Sequence, residues 1–249
     1  MILTNSVRSL CDAFLTLVYP QTCSICRQSV ERRELGVVCE ECWERTQVFS
    51  DEDTLCWKCG APSFGRVDRS KRHEVRCGRC DWLTFEAARA CGLYERALRE
   101  TVLTLKRQPY LPERVVKLLR RVASGEPLNN RTSIVPVPLH AERQKIRGFN
   151  QASIIGRSIS RHLRLPINEV SLIRTVHSAR YRAGLDAKGR SASVANAFDV
   201  VHSGLIAGER ILLVDDVLTT GATAAECSSA LMAAGAEDVR VLTIARTAK

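Results

Sequence analysis

Apolar residues after about residue 90 alternate between helical spacing and short unbroken runs. Leu98, Val102 and Leu105 fall on one face of a predicted helix. Pro112 opens a second helix, which ends near Gly125. Its apolar face is formed by four residues: Val115, Val116, Leu119 and Val122. Strands are predicted over residues 133–138, 170–176, 210–217 and 239–245, and further helices over residues 151–163 and 222–234. This alternation predicts an α/β domain with a mostly parallel sheet flanked by helices.

The first twenty residues have a different pattern. Leu10, Phe14 and Leu17 lie at helical spacing, and Asp12 interrupts the apolar stretch. A targeting sequence is the alternative, but no small-residue cleavage site follows before Pro20. We expect an amphipathic helix over residues 1–20. No run in the chain approaches the ~20 apolar residues needed to cross a bilayer, so no membrane insertion is expected.

Composition adds a second module to this picture. The chain is 45% hydrophobic but only 5% aromatic, which predicts an aliphatic core. Eight of its eleven cysteines form four Cys-x-x-Cys pairs before residue 81, whereas Cys11, Cys91 and Cys227 stand in apolar contexts typical of buried thiols. Paired cysteines of this kind indicate metal binding in a reducing compartment rather than disulfides, so we expect a cytoplasmic protein.

The paired cysteines predict two structural zinc ions. Two Cys-x-x-Cys turns supply the four thiolates of one tetrahedral zinc site, and a complete four-thiolate site leaves no position for a substrate. A sequential pairing and an interleaved pairing both use the same eight residues. A redox role for one pair is the weaker interpretation. The proposed ligands are Cys23, Cys26, Cys39, Cys42, Cys56, Cys59, Cys77 and Cys80.

The formal net charge is +10, which suits either nucleic acid or phosphorylated small molecules as ligands. Basic residues are concentrated between the third and fourth cysteine pairs. This segment is either a solvated, mobile loop or a contact for the phosphate backbone of single-stranded DNA. The tryptophans nearby either stack on bases or cover the small ribbon cores. The residues concerned are Arg66, Arg69, Lys71, Arg72 and Arg76, with Trp43, Trp57 and Trp82.

The most informative stretch covers residues 211–223. A buried strand delivers Asp215 and Asp216 at its carboxyl end, where ligands of open α/β sheets bind. The turn that follows opens a helix and offers successive N–H groups and hydroxyls to a phosphate. It consists of Thr219, Thr220, Gly221, Ala222 and Thr223. Acids that accept hydrogen bonds from sugar hydroxyls, beside a phosphate-binding turn, predict a ribose 5-phosphate site.

A second group of residues lies upstream of that strand. Pro136 and Pro138 suit only the end of a strand, so the chain is expected to turn into a loop there. Arg143, Lys145 and Arg147 then lie close together in sequence, as a pyrophosphate would require. An ordinary basic loop is the alternative. No G-x-x-x-x-G-K-[ST] or G-x-G-x-x-G motif accompanies these residues.

Residues 211–223 resemble the binding motif for phosphoribosyl pyrophosphate (PRPP) of the type I phosphoribosyltransferases. Together with the cysteine pairs, the Pro-Val-Pro run and the stretch from Arg147 to Gln151, they resemble the ComF family over nearly the whole chain. The resemblance implies a small N-terminal double zinc ribbon over residues 21–85 and a phosphoribosyltransferase-like domain over residues 90–249. It also implies that Asp215 and Asp216 bind the ribose hydroxyls of PRPP and that the turn of residues 219–223 binds its 5-phosphate.

The resemblance also implies functional context. ComF proteins are linked to natural competence, so it implies single-stranded DNA and proteins of the competence machinery as partners, with PRPP and Mg²⁺ as ligands. The family pattern matches here at Arg174, Thr175, Arg190, Asn196 and Ala197-Phe198, whereas its glutamine has no counterpart in residues 177–185. This departure leaves the contacts of that loop undefined.

Three functions fit these features. The first is a PRPP-binding protein that acts on DNA. The second is a phosphoribosyltransferase, in which Mg²⁺, Arg143, Lys145 and Arg147 would neutralise the departing pyrophosphate. The third is a non-enzymatic zinc-ribbon scaffold with a vestigial pocket, against which the intact acid pair argues.

Overall fold

A computed structural model describes residues 21–63, 65–175 and 197–248. Its central feature is a parallel four-stranded sheet in the order β1-β6-β5-β2, and a separate antiparallel pair joins β3 to β4. The predicted mostly parallel sheet is therefore confirmed. The strands are β1 Ala87–Leu93, β2 Ser133–Pro136, β3 Leu172–Arg174, β4 Phe198–Val200, β5 Arg210–Leu218 and β6 Asp238–Arg246.

Six α-helices and three short 3-10 helices occur in the described residues. The α-helices are α1 Glu40–Glu44, α2 Arg96–Leu105, α3 Glu113–Ser124, α4 Ala141–Arg147, α5 Gln151–Leu163 and α6 Ala222–Ala233. The 3-10 helices are Arg33–Leu35, Arg69–Glu74 and Ser203–Leu205. None of the helices in the described ranges has both the length and the apolar content to cross a membrane. The helix predicted for residues 1–20, including Cys11, lies outside those ranges.

The sheet is buried on both faces. Leu212 and Val214 of β5 point into a core with α2, α3 and α5. Their neighbours Ile211 and Leu213 point into the opposite core, which α6 covers. Because successive side chains of a strand face opposite sides, a strand covered on both faces reads as an unbroken apolar run. This explains why β5 was the clearest strand signal in the sequence.

The cysteine-rich region shares these two cores instead of forming a core of its own. Trp43 and three cysteines of the first two pairs, Cys23, Cys39 and Cys42, belong to the core with α2 and α3. The four cysteines of the last two pairs border the core with α6. Backbone hydrogen bonds join the regions, from Phe49 N–H to the Cys91 carbonyl at 2.8 Å and from Ala88 N–H to the Lys58 carbonyl at 2.7 Å. The ribbons are therefore packed directly onto the edge strand β1.

Strand β1 was missed by the sequence analysis, and it begins ahead of residue 90. Its sequence is Ala-Ala-Arg-Ala-Cys-Gly-Leu, which contains no β-branched or aromatic residue. Small residues are required because other chain segments approach closely. A Cβ atom on Gly92 would lie 2.2 Å from the Gln47 carbonyl oxygen. Cys91 and Cys227 are buried thiols, as predicted.

Replacing Leu119 by alanine should test the packing of α3 on the sheet. The side chain is fully buried in the core shared by α2, α3 and α5. We expect Leu119→Ala to lower the free energy of unfolding by about 2–5 kcal/mol, measured by urea denaturation of the metal-loaded protein. Leu205→Ala is the control, because Leu205 is 58% exposed and should change stability by less than about 0.5 kcal/mol. Equal losses in both variants would contradict this assignment of the core.

Candidate functional site

The eight paired cysteines form two separate clusters in sequential order. The first contains Cys23, Cys26, Cys39 and Cys42, and the second contains Cys56, Cys59, Cys77 and Cys80. Within each cluster all sulfur atoms lie within 4.8 Å of one another. Of the two pairings that the sequence left open, the structure therefore has the sequential one.

Sulfur–sulfur distances fit a tetrahedral metal site. The Cys26–Cys39 distance is 3.5 Å, the Cys56–Cys80 distance is 3.7 Å and the Cys59–Cys77 distance is 3.6 Å. Four thiolates at a Zn–S distance of about 2.3 Å would stand about 3.8 Å apart, whereas disulfide-bonded sulfurs are about 2 Å apart. The two clusters are thus consistent with two structural zinc sites.

Local backbone geometry presents the thiols together. Arg27, the residue after Cys26, has a φ of 66°. Gly60, the residue after Cys59, also has a φ of 66°. In the last pair it is Gly78, between the two cysteines, that has a positive φ of 67°. These left-handed residues reverse the chain and aim both thiols of a pair at one point.

The electrostatics of the clusters also favour a cation. A hydrogen bond from the Cys59 thiol lowers the pKa of Cys56 to about 4, whereas burial, aided by neighbouring thiols, raises the pKa of Cys80 to about 11. In the first cluster, burial and thiol contacts raise the pKa of Cys42 to about 12. One thiolate therefore forms readily but opposes ionisation of its neighbours. A divalent ion removes that opposition.

The acid pair lies at the C-terminal edge of the parallel sheet, within β5. Asp215 and Asp216 are both partly buried, and the Asp216 N–H donates to Asp215 Oδ1 at 2.8 Å. Strand β2 ends beside this point, because Pro136 is in register with Val214 and the Val137 N–H donates to the Val214 carbonyl. The chain segment that leads from β2 to α4 therefore starts at the same edge of the sheet as the acid pair.

Lys106 joins this site although the sequence analysis missed it. The residue follows the last turn of α2, and its Nζ lies 3.2 Å from Asp216 Oδ2. Lys106 is separated from its partner by more than one hundred residues, and no motif marks it. Only the packing of α2 beside β5 and β6 could reveal this ion pair.

The surroundings of Asp215 favour the protonated form of its carboxyl group. Burial and the adjacent Asp216 carboxylate raise the pKa of Asp215 to about 7, while Lys106 and Arg174 oppose this shift. The Cys227 thiol of α6 also faces it, and burial raises the pKa of that thiol well above its usual value, so it is uncharged. Asp215 therefore gains or loses a proton near neutral pH.

The turn after β5 has free hydrogen-bond donors. Gly221 has a φ of 86° and precedes α6, and the Ala222 N–H donates to Thr220 Oγ1 at 3.3 Å. The N–H groups of Thr220 and Gly221 donate to no residue that the structure describes. Thr219 is exposed and Thr223 partly exposed. Donors at the first turn of a helix are available to an anion.

The segment that follows the second ribbon packs against this turn and against α6. Leu83 lies shortly after Cys80, the last cysteine of the second cluster. A Cβ atom added to Gly221 would lie 2.8 Å from the Cδ2 atom of Leu83. The neighbouring Thr84 hydroxyl donates to the Ala225 carbonyl of α6 at 2.5 Å. The metal half of the chain therefore contributes directly to the shape of the phosphate-binding candidate.

The loop predicted around the three cations is a helix, α4, and this part of the prediction was wrong. His140 Nδ1 accepts a hydrogen bond from the Glu142 N–H at the start of α4, and Gly148 ends it with a φ of 78°. Arg143 and Arg147 are one turn apart on the same face, whereas Lys145 points to the other side because residues two apart do not share a helix face. The helix-forming residues of 141–147 followed by glycine were the available signal.

The structure describes only some of the other residues that match the family pattern. Arg174 and Phe198 pair across β3 and β4, with the Arg174 guanidinium 5.2 Å from the Phe198 ring centre. The Thr175 N–H donates to the Ala197 carbonyl at 2.9 Å. Arg190, Asn196 and residues 177–185, in which the family's glutamine has no counterpart, lie outside the described residues.

The basic segment between the third and fourth cysteine pairs contains the 3-10 helix Arg69–Glu74. Trp43 is 1% exposed and donates from Nε1 to the Leu35 carbonyl, so it covers a ribbon core and is unsuited to base stacking. Trp57 is partly buried beneath Arg89, whose guanidinium lies 5.3 Å from its ring centre. Trp82 is 49% exposed.

Comparisons with known proteins give matches to the cysteine-rich region and to nearly the whole chain. A family model described as a double zinc ribbon domain matches residues 14–81. DNA utilization protein YhgH of Escherichia coli K12 is 30% identical over 244 residues, covering 93% of this chain and 99% of that protein. Competence protein F of Haemophilus influenzae is 37% identical over 144 residues, covering 57% of this chain and 60% of that protein.

Solved structures give weaker matches. A glutamine PRPP amidotransferase from B. subtilis is 21% identical, covering 52% of this chain and 26% of that chain, with a TM-score of 0.36. A hypoxanthine phosphoribosyl transferase from Trypanosoma cruzi is 14% identical, covering 61% of this chain and 76% of that chain, with a TM-score of 0.33. The description of the fold therefore stands on the sheet topology itself.

Metal analysis should return two zinc ions per chain. Cys26→Ser and Cys77→Ser should each remove one ion and leave the other, because the clusters share no ligand. These are the least buried members of their clusters, so serine disturbs packing least there. Cys227→Ala, which lies outside both clusters, should keep both ions. Loss of both ions from either single serine variant would contradict two independent sites.

Proposed function

Because the chain belongs to the ComF/YhgH family of double-zinc-ribbon proteins, we propose that it binds PRPP at the C-terminal edge of its parallel sheet and acts in the uptake or processing of single-stranded DNA. The relatives' names, competence protein F and DNA utilization protein, support the DNA role. The proposed setting is the reducing cytoplasm, where the thiol clusters stay available for zinc, with proteins of the competence machinery as partners.

One arrangement carries the PRPP proposal. The acid pair of β5 is followed after two residues by a turn whose Thr220 and Gly221 N–H groups have no partner among the described residues. Buried or semi-buried backbone donors without partners are uncommon, because leaving them unpaired is unfavourable. An anionic group that accepts from them would satisfy this turn, and carboxylates directly beside it require a ligand that also carries hydroxyl donors. A ribose 5-phosphate has both.

Each residue has a role in this proposal. The turn of residues 219–223 donates to the 5-phosphate, aided by the positive end of α6. Asp215 and Asp216 accept hydrogen bonds from the ribose 2- and 3-hydroxyls. Lys106 holds the Asp216 carboxylate in place and balances part of the negative charge of the pair. A bound Mg²⁺ would supply further positive charge for the pyrophosphate.

Transfer of the phosphoribosyl group is the second candidate function. It would break the bond between the anomeric carbon and the pyrophosphate, which leaves as an anion. Arg143 and Arg147 share one face of α4, which follows β2 from the same sheet edge as the acid pair, and this observation favours them for neutralising that anion. Lys145 is less suited to this role than the two arginines, because it lies on the other side of α4. A screen of nucleobases and amines with PRPP, read as pyrophosphate release, tests this function.

Calorimetry with PRPP and Mg²⁺ tests the binding proposal. We expect Asp215→Asn/Asp216→Asn to weaken PRPP binding on the order of 100-fold, since hydrogen bonds to charged groups contribute about 1.5–3 kcal/mol each. Glu237→Gln is the matched control, because this exposed acid lies just before β6 at the opposite edge of the sheet. Unchanged affinity in the double variant would remove the acid pair from the site.

PRPP affinity should also depend on pH. The raised pKa of Asp215, about 7, means that the carboxyl is protonated in the free protein below that pH. An ionised carboxylate is the better acceptor for sugar hydroxyls, so affinity should rise between pH 6 and pH 8, with proton release on binding. The same shift lowers folding stability as the pH rises from about 4 to about 7, because the folded state then binds the extra proton.

The control for this pH effect is Asp215→Asn, in which the pH dependence of residual binding should flatten. The charged groups facing Asp215 are Asp216 on the same strand, Lys106 after α2 and Arg174 on β3. An equally steep pH profile in Asp215→Asn would assign the dependence to another group, such as the PRPP phosphate.

A further inference from the structure

A second recess lies away from the acid pair, between the second ribbon and the edge strand β1. It encloses about 280 Å³, close to the lower end of the ~300 Å³ range for small-ligand pockets. The chain segment before the second ribbon, the 3-10 helix Arg69–Glu74, strand β1 and the end of helix α3 form its walls. Strand β6 separates β1 from the acid-bearing strand β5. We call this recess the arginine cleft.

Four arginines from three different elements line the arginine cleft. Arg69 and Arg72 project from the 3-10 helix, where residues three apart lie on the same side. Arg89 comes from the middle of β1, and Arg121 from the last turn of α3. The arginines at the rim, Arg69 and Arg121, are exposed, whereas Arg72 and Arg89 are partly buried.

Backbone carbonyls hold three of the four guanidinium groups without neutralising them. Arg121 Nη2 donates to the Phe49 carbonyl at 2.6 Å, and Arg72 donates to the Asp51 carbonyl. Arg89 donates to three backbone carbonyls, including that of Trp57 at 2.9 Å. In the part of the chain that the structure describes, none of the four arginines forms an ion pair. Carbonyl partners orient a guanidinium but leave its full charge available.

Arg72 also carries a buried donor that is unused. Its Nε atom is shielded from solvent and has no hydrogen-bond partner among the described residues. A shielded donor of this kind is unfavourable unless a ligand accepts from it. Arg72 and Arg89 both line the arginine cleft, and planar guanidinium groups suit the paired oxygens of a phosphate.

The acidic residues of the arginine cleft do not cancel this charge. Asp53 accepts from the N–H and hydroxyl of Ser50, which turns its carboxylate toward the backbone. Asp51 and Glu126 are exposed at the rim. The apolar wall is formed by Phe49, Leu55 and Trp57, which provides a surface for a sugar or a base.

We propose that the arginine cleft binds the phosphate of a nucleotide-sized ligand, with Arg72 and Arg89 as the inner donors and Arg69 and Arg121 at the rim. The ligand is either a free nucleotide or one nucleotide unit of a single strand, since both present the same phosphate chemistry. This site is separate from the sugar-phosphate site of β5 and does not depend on PRPP binding.

The test uses the zinc-loaded full chain and two probes, adenosine 5′-monophosphate and a fluorescent twelve-nucleotide single-stranded DNA. Binding is measured at a fixed salt concentration of about 0.15 M, because phosphate contacts are strongly salt-dependent. All variants are built on Asp215→Asn/Asp216→Asn, so that occupancy of the sugar-phosphate site does not contribute to the signal. Failure of the arginine cleft and failure of the PRPP proposal are thereby distinguishable.

The 3-10 segment offers a charge-matched comparison. Arg69→Gln/Arg72→Gln should weaken binding at least tenfold, whereas Arg66→Gln/Lys71→Gln, which removes the same charge from residues outside the cleft, should weaken it less than threefold. Glu126→Gln should tighten binding, a change that misfolding would not produce. Zinc content and the unfolding midpoint serve as folding checks.

Saturable binding of adenosine 5′-monophosphate would identify a free nucleotide as the ligand. Binding of the oligonucleotide alone would identify a single strand as the ligand. Either result supports the site if the cleft variants lose binding and the charge-matched variants keep it. Equal losses in the two charge-matched pairs would indicate a diffuse basic surface and overturn the proposal. No loss in either pair, or no binding of either probe, would overturn it as well.

Discussion

The parallel pairing of β2 with β5 determines the position of the proposed sugar-phosphate site. Parallel strands bring their carboxyl ends to the same edge of a sheet, so the acid pair of β5 and the segment that leads from β2 into α4 are adjacent in space. The turn before α6 adds the N–H groups of Thr220 and Gly221, which have no partner among the residues that the structure describes. Every role proposed for Asp215, Asp216 and the phosphate-binding turn depends on that arrangement.

The zinc ribbons contribute to the same structure in a second way. They are too short to bury a core of their own, and they pack into the two cores on either side of the sheet. Cross-links such as the buried Arg246 guanidinium, which donates to the Cys59 carbonyl, fix the second ribbon against β6. Zinc at these clusters would therefore stabilise more than the ribbons themselves. Through Leu83, it would also support the turn that carries Gly221.

Positive charge is distributed between two separate places that suit phosphates. At the sheet edge, Lys106 and Arg174 lie near a pair of acids whose mutual repulsion and burial raise the pKa of Asp215. In the arginine cleft, carbonyls orient three of the four guanidinium groups, and none of the four forms an ion pair within the described residues. The ligand proposed for the first place carries hydroxyl donors beside its phosphate, while the ligand proposed for the second is recognised by its phosphate. The two sites are therefore expected to select different ligands.

The sequence alone determined the metal ligands, strand β5, the acid pair and its turn, because each is a local pattern set by residue type and spacing. It also predicted α3, α5 and α6 to within about one or two residues. It missed strand β1, whose small residues carry no strand signal. It predicted a loop at α4 because Pro136 and Pro138 precede the helix-forming residues there. The domain boundaries stay a prediction, since the ribbons share the cores of the sheet.

Only the tertiary structure decided the sequential grouping of the cysteines, the ion pair between Lys106 and Asp216, and the meeting of four arginines in one cleft. Each of these joins residues that are far apart in the chain, and their distances depend on how helices and ribbons pack against the sheet. Local spacing specifies what a segment forms and which groups it carries. It contains no information on which distant groups then become neighbours.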